Sequence, residues 1–553
     1  MKNLTRRQFI FGIISALCAL ALAKYTGFMS ALNKYGFKLP TKSIPGEILG
    51  ASFSLGHKLR SGIFALPSRT IQKDVVIVGG GIAGLAAGYR LAKAGFKNFA
   101  LLDLEKETGG NALSGKNSVS AYPWGAHYVP ILTEEATAVK RLFEELGIIT
   151  SYDLQGLPIY NEFYICADPH ERLYIYGRWQ DGLIPVIGIT SGEEKQYKRF
   201  FAMMENYKSY KDSDGKRAFA IPIDKSSQDK ELLSLDSITM EEWMNKQGFS
   251  SPNLRWYVNY CCRDDYGTTF QETSAWAGIH YFAARNGRAA NTDSQNVVTW
   301  PEGNGWLAHK LAEPFKANII TRALTYNVTD RGGHITVNYW DDRQNQSVLI
   351  EAKTAIIATP RFVASRIIES ENFSPSAEAF SYSPWAVANI TLSRLPSGKG
   401  VPLCWDNVVF NSNLLGYVVA THQITQMKLI NTVLTYYWPM SHLSPAEARE
   451  VALSLSYEDW QKIILKELLT IHPEIEGYVE RMDLWIWGHA MVRPTKGFIW
   501  GKARKEALTQ HPPIFTAHSD MSGISIFEEA YTHGVSAAER AMTFMNIPYR
   551  SEL

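Results

Sequence analysis

Residues 74 to 84 read DVVIVGGGIAG. Val75, Val76, Ile77 and Val78 form an unbroken apolar run, the pattern of a strand buried on both faces. Gly79, Gly81 and Gly84 follow at G-x-G-x-x-G spacing. The first permits a tight turn, the second lets a pyrophosphate approach the backbone, and the third lets the following helix pack on the strand. That helix would turn free N–H groups at Ile82, Ala83 and Gly84, and the positive end of its dipole, towards phosphate oxygens. A second apolar run, Phe99 to Leu102, ends at Asp103, an acid about 20 residues further on that can accept ribose hydroxyls. Glycine spacing alone is weak evidence. Strand, helix and acid together make a dinucleotide fingerprint, which serves NAD or FAD equally.

Other segments carry groups able to do chemistry. AYPWGAHYV clusters Trp124, Gly125, Ala126, His127 and Tyr128. His127 reads either as a cofactor-facing donor or as a structural loop histidine. LWIWGHAMV holds His489, whose imidazole suits general-base work near pH 7; its competing reading is a satisfied core histidine. Trp487 and Trp500 are candidate pocket walls. Arg263, Asp264 and Asp265 read as a structural ion cluster in preference to a catalytic one. His518 and Ser519 precede Asp520 in a glycine- and serine-rich turn. Cys18, Cys166, Cys261, Cys262 and Cys404 show no CxxC or zinc-type spacing, so no metal site is expected, and one disulfide is left open.

These groups must be carried by a large scaffold. The chain has 553 residues, too many for one core, with 46% hydrophobic and 20% charged residues. A net charge of +2 gives no argument for nucleic acid as a partner. The first 23 residues read as a leader. Lys2, Arg6 and Arg7 make a basic start, Phe9 to Ala23 is an apolar run of signal-peptide length, and Ala21-Leu22-Ala23 is a small-residue cleavage site. TRRQFI resembles the twin-arginine export signal. The expectation is an exported, periplasmic protein, tethered to a membrane only if the leader stays uncleaved. No feature of the chain sets an oligomeric state.

Residues 24–70 read as a linker. The expected cofactor domain is discontinuous, over 71–135, 293–375 and 485–547. A substrate domain fills 136–292 and 376–484. Within these, Thr133 is expected to cap a helix with Glu134 and Glu135 in its first turn. Ser191-x-x-Glu194, Thr239-x-x-Glu242 and Ser444-Pro445-Ala446-Glu447 read as capping boxes. Tyr197, Phe200, Phe201 and Met204 form a helical stripe that reads as core. Strands are expected at 319–328, 334–339, 355–358, 386–392 and 432–437.

DVVIVGGGIAGLAAGYRL, Asp103 and Gly109-Gly110 together resemble the flavin-containing amine oxidase superfamily. So does the carboxy-terminal FTAHSDMSGISIFEEAYTHGVSAAERAM. WGAHYV resembles its flavin-facing loop, and RALTYNV the strand that holds adenine, at Leu324. The resemblance implies an α/β fold, an FAD-binding Rossmann-like (doubly wound) domain interleaved with a mixed α+β substrate domain. It implies FAD held by Gly79, Gly81, Ile82, Ala83, Gly84, Asp103, Gly110, Asn111, Ala112, Gly125, Ala126, His127, Leu324, Asp520 and Ile526. It implies hydride transfer from the carbon beside an amine nitrogen to flavin N5, from a polyamine or primary amine, with oxygen or a quinone as acceptor. The chain departs from the family at Asp103 and Asn111, where Glu and Arg are usual. It departs again at Asn389, where a lysine is common, and at Ile526, where an aromatic is common. Asn389 and His489 are therefore the catalytic candidates. Two alternatives stay open: a flavin desaturase or dehydrogenase acting on a carbon–carbon bond, and a non-catalytic flavoprotein serving as an electron carrier.

Overall fold

The computed structural model describes residues 44–370, 375–425 and 430–553. The leader read in residues 1–23, with Arg6, Arg7 and Cys18, lies outside them.

Val75–Val78 lies at the centre of a five-stranded parallel sheet, ordered Ile319–Ile320, Phe99–Leu102, Val75–Val78, Thr354–Ile357 and Ile514–Thr516. Its side chains alternate between two cores, as the period of a strand requires. Val75 and Ile77 pack under the helix Ile82–Lys93 and the C-terminal helix Phe527–Phe544. Val76 and Val78 pack against a second five-stranded sheet built around Ala323–Asp330, Ile335–Asp341 and Gln346–Ala352. A run buried on both faces therefore has helices on one side and a sheet on the other. Burying each such side chain contributes about 1.5–3 kcal/mol.

The larger sheet has eight strands, ordered Ile48–Gly50, Val479–Val492, Tyr382–Leu392, Thr432–Trp438, Gly416–Val419, Asp406–Val409, Glu171–Ile175 and Arg178–Asp181. One face packs on the helices Pro445–Ser454 and Tyr457–Ile471. The other turns Trp385, Val387 and Tyr437 towards Tyr260 and Cys261 of the helix Pro252–Tyr266. An α/β, Rossmann-like cofactor domain with a mixed α+β partner is thus present.

Local expectations fare unevenly. Thr239 and Ser444 form their capping boxes. The box expected at Ser191 sits one residue earlier, with Thr190 capping and Glu193 answering, because Glu194 pairs with Lys198 instead. Thr133 caps nothing. Its hydroxyl donates to the Ile221 carbonyl, Glu134 and Glu135 pair with Arg217, and the helix starts at Thr137. Residues 44–70 are not a loose linker: they supply a strand to the large sheet, two helical turns, and the start of the strand Arg69–Gln72. The segment from Trp485 begins inside the 14-residue strand Val479–Val492 and so belongs to the substrate sheet as far as Val492. Cys166, Cys261, Cys262 and Cys404 are free and buried.

The helices Ile82–Lys93 and Phe527–Phe544 meet at Gly534, where a Cβ would sit 2.2 Å from the Ala83 carbonyl oxygen. Gly534→Val should therefore force the helices apart and lower unfolding free energy by about 3 kcal/mol. Urea denaturation reads this directly, and an unchanged midpoint would show that the contact is dispensable.

Candidate functional site

The glycine loop separates packing from binding. Gly79 has φ +106°, and a Cβ there would lie 2.4 Å from the Ala358 carbonyl; a Cβ on Gly84 would lie 1.8 Å from the Gly79 carbonyl. Both must be glycine for the strand, loop and helix to fit. A Cβ on Gly81 meets nothing nearer than Gly110 Cα at 3.9 Å, so the middle glycine faces open space. Gly109 N–H donates to the Gly80 carbonyl at 2.8 Å, which sets the turn Gly110–Ala112 against the loop.

Asp103 closes one end of this crevice. Its Oδ2 accepts the Gly80 N–H at 2.6 Å and its Oδ1 the Glu105 N–H at 2.7 Å. Burial pushes the carboxyl up to about 6 against those two donors. Each oxygen keeps acceptor capacity for a further hydroxyl. The Ala323 N–H donates to the Asp103 carbonyl, which brings Leu324 beside the acid.

Asp520 closes the other end. Its Oδ2 accepts the Arg361 N–H at 2.8 Å and the Tyr382 hydroxyl. Its Oδ1 is buried with no donor: His518 Nδ1 lies 3.0 Å away but accepts the Asp520 N–H. A buried carboxylate oxygen left without a donor is costly. A ligand hydroxyl would satisfy it.

The crevice opens onto a cavity with about 1060 Å³ of empty space, part of it continuous with solvent. Asn111, Gly125, Ala126, His127 and Ile526 line it, as do Trp385, Tyr437 and Trp487. The loop is braced from below. The Tyr437 hydroxyl donates to the Gly125 carbonyl at 3.0 Å, Trp487 Nε1 to the Trp124 carbonyl at 2.6 Å, and the Ala126 N–H to the Asn111 carbonyl at 2.8 Å. His127 stacks on Tyr437 at 4.8 Å, and burial lowers its imidazole to about 4. It is neutral at pH 7.

The remote wall is acidic. Arg285 donates to Asp265 and to the Tyr128 hydroxyl and lies over the Tyr281 ring. Asp264 also lines the cavity but has no hydrogen-bonded or ion-paired partner among the described residues. Burial, then the charge of Asp265, pushes it up to about 7. Sequence reasoning placed Arg263, Asp264 and Asp265 in one structural cluster. Arg263 fits that reading, with its guanidinium on the Ser412 carbonyl and the Ser441 hydroxyl. Asp265 fits it in part, since it pairs with Arg285 and not with Arg263, and Asp264 does not. The two acids stand three and four residues after Cys261 on one helix, one to each side of its face.

Neither catalytic candidate reaches the cavity. Asn389 is buried in its strand, donating to the Pro123 carbonyl at 3.0 Å and accepting the Thr435 hydroxyl at 2.7 Å. Both contacts are structural, and the first steadies the strand that leads into the Trp124–Tyr128 loop. His489 sits in a bulge. Ser383 pairs with Met491 and Trp385 with Trp487, so Pro384 alone opposes Gly488 to Ala490. Proline cannot donate to the ladder, and the opposing strand bows out there. Ala490 and Met491 reach the cavity, while His489 turns to Phe362 at 4.4 Å. Trp500 is not a pocket wall either; it packs on Trp276.

Residues 77–146 match the NAD(P)-binding Rossmann-like domain family. No curated protein matches the chain by sequence. Among solved structures, a putrescine oxidase with bound putrescine is 17% identical, with TM-score 0.60 over 86% of this chain and 100% of that one. Cyclohexylamine oxidase from Brevibacterium oxydans is 14% identical, with TM-score 0.58 over 86% and 99%. A CLA-producing fatty acid isomerase from P. acnes is 14% identical, with TM-score 0.57 over 85% and 98%. The likeness is one of fold, and it runs over both domains.

Behind the cavity wall, Glu529 accepts the Ile223 N–H at 2.6 Å and contacts the Ser522 hydroxyl, which reaches His533 at 2.7 Å. Burial pushes Glu529 up to about 8. The folded chain thus holds a proton that the unfolded chain releases above about pH 4.5, and stability falls as pH rises towards 8. Glu529→Gln keeps the same bonds without the proton. Its unfolding free energy from urea denaturation should fall less than that of the wild type between pH 5 and pH 8, by a difference on the order of 2 kcal/mol. Parallel pH profiles would contradict this.

Proposed function

We propose that this protein is an FAD-dependent oxidoreductase that dehydrogenates an amine at the carbon beside its nitrogen. Support for the cofactor comes from the crevice. Asp103 can hold a ribose, the open side of Gly81 can admit a pyrophosphate, and the donor-less Oδ1 of Asp520 can take a hydroxyl of the linking chain. FAD would supply the electron sink for the two electrons and hydrogen that leave the substrate carbon.

The observation that carries the amine reading is Asp264. The cavity wall presents Asp264, Asp265 and Glu528 against one cation, Arg285, and that cation is already spent on Asp265. His127 and His280 are both held neutral, at about 4, by burial. A cationic ligand fits this balance and an anionic one does not. Trp385, Tyr437 and Trp487 offer ring faces that favour an ammonium group.

The same acid can prepare the substrate. An ammonium gives up hydride poorly, because its nitrogen lone pair is occupied. With its carboxyl near 7, Asp264 can take one ammonium proton, leaving R–CH2–NH2 and a neutral acid. Breaking the adjacent C–H bond then forms C=N, and the electron pair departs with the hydrogen. The loop Gly125–His127, braced by the Tyr437 hydroxyl, sets the floor of the cavity. We further propose a periplasmic site of action, with oxygen or a quinone as terminal acceptor, on the strength of the leader.

The test is anaerobic bleaching of the flavin spectrum by a panel of polyamines and primary amines. At least one amine should bleach it, at a rate that rises through about pH 7 as Asp264 loses its proton. Asp264→Asn should slow bleaching about a hundredfold and flatten that pH profile. Bleaching by a fatty acid and by no amine would move the reading to carbon–carbon chemistry. No bleaching by any substrate would leave only the electron-carrier alternative.

A further inference from the structure

The segment between Ile44 and Gln72 straps the two domains together. At its start, Ile48–Gly50 pairs in parallel with Leu484–Ile486 of the large sheet. At its end, Arg69–Gln72 pairs with Val348–Glu351 of the cofactor domain. Between these anchors the strap is held down by apolar side chains turned inwards. Leu55 is buried, Leu59 packs on the core that Val76 and Val78 share with the second five-stranded sheet, and Phe64 stacks on Tyr326 at 4.0 Å. The Ser52 N–H and hydroxyl each donate to the Glu105 carboxylate at 2.8 Å. The strap is therefore fixed without help from its remaining apolar residues.

Those residues face solvent. Ile63 is 85% exposed, Leu66 91% and Phe53 56%. Among the described residues, only Leu154 is a more exposed large apolar side chain than Ile63 and Leu66. One exposed leucine on a protein surface needs no explanation; three such side chains on one short, anchored segment do. They are interleaved with charge of a single sign. Between positions 48 and 73 stand Lys58, Arg60, Arg69 and Lys73, and no Asp or Glu. Lys58, Arg60 and Arg69 are exposed, and none forms an ion pair among the described residues. The nearest carboxylate, Glu105, is taken by Ser52.

Charge and apolarity together select the occupant of this surface. A second copy of the chain would set cations against cations. A nucleic acid backbone would answer the cations and leave Ile63 and Leu66 in water. An anionic lipid surface answers both, with headgroup phosphates for the cations and acyl chains for the apolar tips. No helix among the described residues is long and apolar enough to cross a membrane, so this contact would be made with one leaflet. Residues 24–43 alone separate the apolar run Phe9–Ala23 from Ile44, so a leader held in a bilayer would keep the strap within reach of lipid.

We propose that the strap from Phe53 to Arg69 docks on an anionic lipid surface, with Ile63 and Leu66 inserted among the acyl chains and Lys58, Arg60 and Arg69 on the headgroup phosphates. The inference stands apart from the flavin reading and from the fate of the leader.

The experiment uses the full chain with Cys18→Ser, because Cys166, Cys261, Cys262 and Cys404 are buried and escape labelling. Leu66→Cys then carries an environment-sensitive fluorophore on the strap, and Leu154→Cys carries it on an exposed apolar position outside the strap. Vesicles of phosphatidylglycerol and phosphatidylcholine in equal parts should shift the emission at position 66 to the blue, and vesicles of phosphatidylcholine alone should not. High salt should reverse the shift. Lys58→Gln with Arg60→Gln should raise the lipid concentration at half-shift about tenfold, as expected when two charges leave an anionic surface. The probe reads the strap itself, so binding through the leader alone gives no shift at position 66, and that result overturns the proposal. An equal shift at position 154 overturns it as non-specific adsorption. Emission already blue without vesicles overturns it too, since the face would then be covered by this chain or by a second copy.

Discussion

The contact between the helices Ile82–Lys93 and Phe527–Phe544 is where the site begins. Gly534 lets the C-terminal helix approach the Ala83 carbonyl as closely as backbone allows. That approach seats the turn Ser519–Met521 beside the strand Thr354–Ile357 and brings Asp520 to the end of a crevice that Asp103 opens. The two acids lie more than 400 residues apart in the chain, and the packing of two helices brings them to opposite ends of one crevice.

The large sheet solves a different problem. It must offer aromatic faces to a cavity while holding a loop still. The hydroxyl of Tyr437 and the indole of Trp487 do both, since their rings line the cavity and their polar tips fix the carbonyls of Gly125 and Trp124. Asn389 extends the same bracing to Pro123. A wall that is also a brace cannot relax without disturbing the loop, which favours a preorganised floor over one that forms around the ligand.

Reading the sequence recovered the parts governed by local rules. Glycine spacing, the apolar run Val75–Val78 and the capping boxes at Thr239 and Ser444 each follow from a few neighbouring residues. The failures have one cause in common, which is that the deciding partner is distant. Thr133 was a plausible cap until Ile221, 88 residues away, took its hydroxyl. His489 was a plausible base until Pro384, on the paired strand, bowed its strand outwards. Asp264 was grouped with Arg263 by adjacency, yet consecutive helical positions point about 100° apart. The spacing of Cys261, Asp264 and Asp265 was the available signal, and Arg285, the partner that tells Asp265 from Asp264, lies 20 residues on.

That difference between two adjacent acids sets the electrostatics of the cavity. Asp265 is neutralised by an arginine that is itself pinned by Tyr128 and Tyr281, so its charge is spent on structure. Asp264 is raised by the same burial and by Asp265 beside it, and it lacks a partner. Had Arg285 reached both, the cavity wall would be close to neutral and indifferent to ligand charge. With one acid satisfied and one left free, the wall favours a cation and holds a proton acceptor poised near neutrality.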